Sequence, residues 1–234
     1  MKVLVIIPCY NESGNIEKTV NALVKNKLDY IIINDGSTDN TLEIIKKNKF
    51  NYINLNNNLG IGAAVQTGYK YAQKNDYDIA IQYDGDGQHD VNYIKKIIAP
   101  IENKDADLVV GSRFVGTESE FKSTWLRRVG INILSSLFKI ITKKELKDMT
   151  SGFRACNKKI INMFAESYPQ EYPEPVTNLK VARKNLKITE IPVKMKEREF
   201  GKSSISAFKS AYYMINVIIL FVVIALSKGD EKND

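Results

Sequence analysis

The chain has 234 residues, 44% hydrophobic and 26% charged, which suits one large soluble α/β domain with a substantial core. Its two cysteines, Cys9 and Cys156, exclude a disulfide framework or a cysteine zinc site and fit a reducing cytosol. The net charge of +7 is concentrated: residues 122–147 carry seven Lys/Arg against one Asp/Glu, and residues 180–209 carry nine against three. That placement points to an anionic partner (a membrane surface, a lipid phosphate or nucleic acid) or to two solvated helix faces.

Lys2–Ile7 reads as a buried strand, and it stops at Pro8, too short for a secretory signal. The loop Pro8-Cys9-Tyr10-Asn11-Glu12 follows. A helix comes next, with Ile16, Val20, Leu23 and Val24 at helical spacing and Ser13 or Asn15 as its cap. Tyr30–Ile33 is a second strand, ending in Asn34-Asp35-Gly36-Ser37-Thr38-Asp39, with a carboxylate at the strand tip and several helix-capping residues. A helix through Leu42, Ile44 and Ile45 leads to a third strand near Tyr52–Leu55. The loop 56–62 then opens a helix carrying Ala63, Ala64, Val65, Tyr69 and Ala72.

The apolar run Ile79-Ala80-Ile81-Gln82-Tyr83 is a fourth strand, and it delivers Asp84-Gly85-Asp86-Gly87-Gln88-His89-Asp90. Two carboxylates one residue apart repel unless a cation sits beside them, and Mg²⁺ takes one or two carboxylates plus phosphate oxygens. The glycines allow a sharp turn close to a ligand. A helix spans roughly Val91–Asn103, and Leu108–Gly111 is a fifth strand. Strand–helix alternation predicts a mainly parallel sheet covered on both faces, with ligands beyond the carboxyl ends of the strands. The loops holding Tyr10–Glu12, Asp35, Gly60 and Asp84 therefore converge on one crevice.

After Gly111 the pattern changes. Trp125–Thr142 is a long basic amphipathic helix. Asp148–Arg154 is a compact polar block, Tyr172-Pro173-Glu174-Pro175 is rigid, and Ile188–Val193 is a strand. The tail Ala211–Leu226 is apolar, with Asn216 its one strongly polar residue. Sixteen helical residues span about 24 Å, short of a hydrocarbon core of roughly 30 Å. The tail is expected at an interface, on a membrane partner, or on the protein's own core.

Joined in order, these blocks carry a resemblance. Ile7–Glu12, Asn34–Asp39, Asn58-Leu59-Gly60 with Gly62 and Ala63, Asp84–His89, Gly111–Phe114, Thr150–Arg154, and Arg198 with Gly201-Lys202-Ser203 resemble the family 2 glycosyltransferases of GT-A fold. The likeness is strongest to the branch containing dolichol-phosphate mannosyltransferases and bacterial polyprenyl-phosphate glycosyltransferases. It implies residues 1–210 as a single GT-A domain and 211–234 as an apolar helix with a short polar tail.

The resemblance implies roles residue by residue. Pro8, Tyr10, Glu12, Asp35 and Gly60 hold the nucleotide of a UDP- or GDP-sugar, with UDP preferred. Asp84 contacts donor and metal, and Asp86 with Gln88 ligates Mg²⁺ or Mn²⁺. Arg113, Arg127, Arg128, Arg198 and Lys202 face phosphates of donor or acceptor. The acceptor is a lipid phosphate or a surface glycan, because Tyr172-Pro173-Glu174-Pro175 resembles a subgroup found among surface-polysaccharide genes. A lipid phosphate needs no base; a hydroxyl acceptor needs one, and Asp148 or Glu174 is the candidate. His89, the one histidine, reads as a neighbour orienting the metal loop or as a base. The implied location is the inner face of the cell membrane, peripherally, on lipid or a small membrane protein, with no nucleic acid partner.

Three other chemistries are set against this. Gly60-Ile61-Gly62 is similar to a dinucleotide fingerprint but follows the third strand, and Val65 replaces the last glycine. The Asp84/Asp86 pair is similar to that of haloacid-dehalogenase phosphatases, which carry it on the first strand. A calcium loop would need glycine at His89 and Glu at Lys95. A non-catalytic sugar-nucleotide-binding or membrane-adaptor protein is the non-enzyme alternative.

Overall fold

The computed structural model describes residues 1–116, 125–196 and 216–224. Seven strands form one sheet: β1 (Val3–Cys9), β2 (Asp29–Asp35), β3 (Tyr52–Leu55), β4 (Ile79–Gln82), β5 (Leu108–Ser112), β6 (Arg154–Asn157) and β7 (Ile188–Pro192). Their order is β3-β2-β1-β4-β6-β5-β7. Every pairing is parallel except those of β6, which runs antiparallel to both β4 and β5.

Period-two alternation sorts the strands' side chains onto two buried faces. Val5, Ile7, Ile79 and Ile81 join one core with Ile16, Val20 and Leu23 of α1 (Ile16–Lys25) and Ile97 and Ile101 of α4 (Ile94–Glu102). Leu4, Ile6 and Ala80 join the opposite core with Val65 and Tyr69 of α3 (Ile61–Lys74) and Ile160 and Phe164 of α6 (Lys158–Glu166). α2 (Thr41–Lys47) adds Ile45 to the first core. Each buried Val, Leu, Ile or Phe among them contributes about 1.5–3 kcal/mol by leaving water.

A third core lies under α5 (Trp125–Thr142) and α7 (Pro173–Arg183). Leu134 and Phe138 of α5 meet Leu179 and Ala182 of α7, and Val217 and Phe221 of the helical stretch 216–224 are fully buried among them. This part of the tail packs on the protein's own core, one of the three placements expected. Among the described residues no helix is long and apolar enough to cross a membrane.

The first five strands fall where the alternation puts them. Three elements were not expected: β6, α6 and α7. The expected helix from Val91 begins as a 3₁₀ turn, Val91–Tyr93, before α4. Asn15 stands at the N-cap of α1 without making a cap hydrogen bond; its amide donates to Glu12 Oε2 at 2.8 Å. Val24 is 49% exposed and outside the core.

The first turn of α3 sits against the chain before α7. A Cβ on Gly62 would lie 2.3 Å from the Pro169 carbonyl oxygen and 2.5 Å from Gln170 Cα, both backbone atoms. Gly62→Ala is therefore expected to lower stability by about 1–3 kcal/mol through overpacking, read as an earlier urea unfolding midpoint.

Candidate active site

β1, β2, β3 and β4 are parallel, so their carboxyl ends open on one edge. β6 is antiparallel, so its amino end reaches that same edge and brings the Ser151–Phe153 turn with it. This reversal, invisible in the strand pattern, completes the crevice.

The loop after β4 is held by its own residues. The Asp84 N–H donates to His89 Nδ1 at 3.2 Å, the Gln88 N–H donates to Asp86 Oδ1 at 3.0 Å, and Tyr83 Oη donates to the His89 carbonyl at 2.5 Å. The His89 ring stacks on Phe153 with centroids 4.8 Å apart. Burial pushes the imidazole down to about 4, against the pull of Asp86. His89 is thus neutral, and because Nδ1 accepts, its proton sits on Nε2, 3.6 Å from Asp84 Oδ2. The geometry is that of an orienting neighbour.

Asp84 is one-third exposed, and its carboxyl is raised to about 6, first by burial and then by the charge of Glu174. A hydrogen bond from Gln82 and the charges of Arg154 and Arg113 act in the opposite direction. The Ser151–Phe153 turn presses closely: a Cβ on Gly152 would stand 2.9 Å from Asp84 Oδ2 and 3.2 Å from Gln82 Nε2. Glu174 stands in the first turn of α7, where Pro173 opens the helix and Tyr172 adopts a left-handed φ of 52°. Gln82 Nε2 donates to Glu174 Oε1 at 3.2 Å, which places Glu174 beside Asp84.

Arg113 and Asp148 answer each other. Asp148 is fully buried and accepts from the Arg113 N–H at 2.9 Å, its Nε at 2.8 Å and its Nη2 at 2.7 Å. Arg113 Nη2 also donates to Thr150 Oγ1 at 2.8 Å. A carboxylate engaged in this way fixes the arginine; it lacks the exposure that a base toward an acceptor needs.

On the other side of the crevice, Asp35 is 3% exposed, and its oxygens accept from the N–H groups of Leu59 at 2.8 Å and Gly60 at 2.9 Å. It clamps the third loop onto the second. Asn11 does the same for the first loop: Oδ1 accepts from the Thr38 N–H at 2.8 Å, and its own N–H donates to Ser37 Oγ at 3.0 Å. Tyr10 is exposed at the rim, Pro8 lies within β1, and Glu12 is buried with its N–H on Thr41 Oγ1. Asp39 is partly desolvated, yet hydrogen bonds from Thr41 and Ser13 hold its carboxyl below the usual range.

Asp84 and Asp86 both follow the end of β4, each only partly buried. Among the described residues no three His, Cys, Asp or Glu side chains gather to hold a metal unaided. Two carboxylates fit an ion whose remaining positions belong to water and phosphate oxygens. Gln88 is near them in the loop, its Nε2 donating to the Lys196 carbonyl at 3.2 Å. Arg128 is exposed on α5. Arg198, Lys202 and the side chain of Arg127 lie outside the described residues.

A mainly parallel sheet flanked by helices, with an acid pair following its fourth strand, is the architecture of the GT-A glycosyltransferases. Residues 4–164 match the family model described as glycosyl transferase family 2, and the chain belongs to that family. The dehydrogenase and phosphatase readings fall with that assignment; the acid pair follows β4, whereas such phosphatases carry it on the first strand.

One relative, the UDP-N-acetylglucosamine–dolichyl-phosphate N-acetylglucosaminyltransferase of Methanococcus voltae, is 35% identical over 91% of this chain and 94% of its own. The undecaprenyl-phosphate mannosyltransferase of Micrococcus luteus is 28% identical, covering 93% of each chain. Among solved structures, glucosyl-3-phosphoglycerate synthase from Mycobacterium tuberculosis, in complex with Mn²⁺, UDP and phosphoglyceric acid, has a TM-score of 0.71 at 16% identity. That match covers 98% of this chain and 80% of that one, and it shows the fold alone.

A carboxyl raised in the folded chain favours folding in its neutral form. Its contribution is complete below the ordinary value of 3.8 and is lost as pH rises through about 6. In metal-free buffer Asp84→Asn is therefore expected to unfold at a higher temperature than the parent above about pH 7. The gap should close near pH 4, measured by calorimetry across that range.

Proposed function

We propose that the protein transfers a sugar from a UDP-linked donor to a polyprenyl phosphate, inverting the anomeric centre, with Mg²⁺ or Mn²⁺ bound. The observation that carries this reading is the acid pair at the end of β4, facing the crevice formed with the loops of β1, β2 and β3. The donor and lipid acceptor in the name of the Methanococcus voltae relative support the choice of UDP and of a polyprenyl phosphate.

Asp84 and Asp86, with Gln88, hold the ion; when bound, it neutralises the diphosphate charge that grows as the glycosidic bond breaks. Pro8, Tyr10, Glu12, Asp35 and Gly60 form the base and ribose side, Asp35 by fixing the Leu59–Gly60 backbone. Arg113, oriented by Asp148, faces phosphate, and Arg127, Arg128, Arg198 and Lys202 serve the same charge. A phosphate acceptor is already ionised and attacks without a base. Glu174 then orients the acceptor, and for a hydroxyl acceptor it is the carboxylate positioned to take the proton.

The test is release of UDP or GDP from a panel of sugar nucleotides, with and without Mn²⁺ and polyprenyl phosphate. UDP release that needs both is expected, and Asp86→Asn should lower it by about 100-fold or more while leaving the fold intact. Nucleotide-sugar binding without turnover under any combination would identify the non-catalytic alternative.

Such an acceptor requires access to a membrane. Among the described residues, six large apolar side chains are exposed on the two helical segments of the third core: Val129, Ile133 and Ile140 on α5, and Ile219, Val222 and Val223 in 216–224. Arg128, Lys143 and Lys147 are exposed in the same region. Apolar insertion and attraction to anionic head groups then act together, and only the second is screened by salt. This supports peripheral association with the inner leaflet.

Because Val217 and Phe221 fill the core, the informative change is on the outer face and not a truncation. Ile219→Ser with Val223→Ser is expected to reduce co-sedimentation with anionic vesicles at high salt by about fivefold or more, with the unfolding midpoint held. Equal binding of parent and variant would remove this face from the membrane contact.

A further inference from the structure

Beneath the crevice lies a charge without a carboxylate partner. Arg154 is 0% exposed, yet among the described residues no acid is in ion-pair contact with it. Nη1 donates to Thr177 Oγ1 at 2.7 Å; Nη2 donates to Tyr168 Oη at 2.7 Å and to Gln82 Oε1 at 3.1 Å; Nε has no partner. Burying a guanidinium on neutral acceptors is costly, and an apolar residue of similar volume would be expected to serve the fold better. Stability alone does not account for it.

The sheet register explains what it reaches. Gln82 and Arg154 are directly paired across β4 and β6. An arginine offers donors only, so the Gln82 amide must turn its oxygen to Arg154 and its nitrogen away. That nitrogen donates to Glu174 Oε1 at 3.2 Å and crowds, with the Asp84 carboxylate, around Gly152. One buried amide thus stands between two acids from different elements, its direction set from below.

We infer that Gln82, oriented by Arg154, is a positioning residue that sets the side chain of Glu174 beside Asp84 in the catalytic crevice. The inference rests on the proposed glycosyl transfer for its kinetic consequence, but not for its geometric one.

Gln82→Glu separates this role from a structural one. It keeps the contact to Arg154, turns it into an ion pair, and removes the N–H donors toward Glu174. A purely structural residue predicts a held or raised unfolding midpoint with turnover retained. The positioning role predicts the same midpoint behaviour with kcat lowered about tenfold or more and the donor KM within about threefold, because the loops of β1, β2 and β3 hold the donor. Gln82→Leu, which adds no charge, should show the same kcat loss. A kcat within twofold of the parent in either variant overturns the inference.

A crystal structure of Gln82→Glu without substrate gives the second readout. Glu174 turned away from residue 82 supports the inference, and an unmoved Glu174 overturns it. If the parent turns over no sugar nucleotide, the functional proposal is what fails, and the crystal structure alone decides this inference.

Discussion

Carboxylates gathered at the edge of water raise one another's energy, and the end of β4 is where this chain gathers them. Asp84 and Glu174 come from two elements far apart in sequence, and nothing in local propensity brings them together. What makes the cluster tolerable is the single reversal in the sheet. Because β6 runs against its neighbours, it delivers a side-chain-free turn at Gly152 and, two residues later, the Arg154 charge. Asp148 is paired with Arg113 and so adds no unbalanced charge.

The rest of the architecture serves this edge. Helices on both faces bury the central strands β4 and β5 completely, so their ends cannot shift relative to their neighbours without opening an apolar core. The side formed by the loops of β1, β2 and β3 is built differently: its loops are tied to each other by side chain–backbone bonds from Asn11 and Asp35. One half of the crevice is rigid through packing and the other through polar clamps.

Much of this was legible in the amino-acid sequence. β1 to β5 announced themselves through short apolar runs ending in polar loops, and the acid pair stood out because its context repeated a family's order of blocks. β6 was hidden because four residues, one of them arginine, do not resemble a central strand; the partners that let Arg154 be buried, Gln82, Tyr168 and Thr177, come from distant parts of the chain. α7 was hidden for another reason. Val176, Thr177, Asn178, Leu179, Val181 and Ala182 are all buried, so the helix shows no polar face and no period to read. Pro173 at its first position was the signal available. The pairing of Asp148 with Arg113 spans 35 residues and left no local trace.

The tail has a mechanical consequence. Asn216 donates to Tyr172 Oη at 3.0 Å, and Arg183 donates to the Ile224 carbonyl, so the segment is latched to the two ends of α7. Tyr172 is also the left-handed residue from which that helix departs, two positions before Glu174. The outer surface of 216–224 and the acid in the crevice therefore share one lever. A load applied at that surface is passed to Glu174 through α7, the helix that both latches grip.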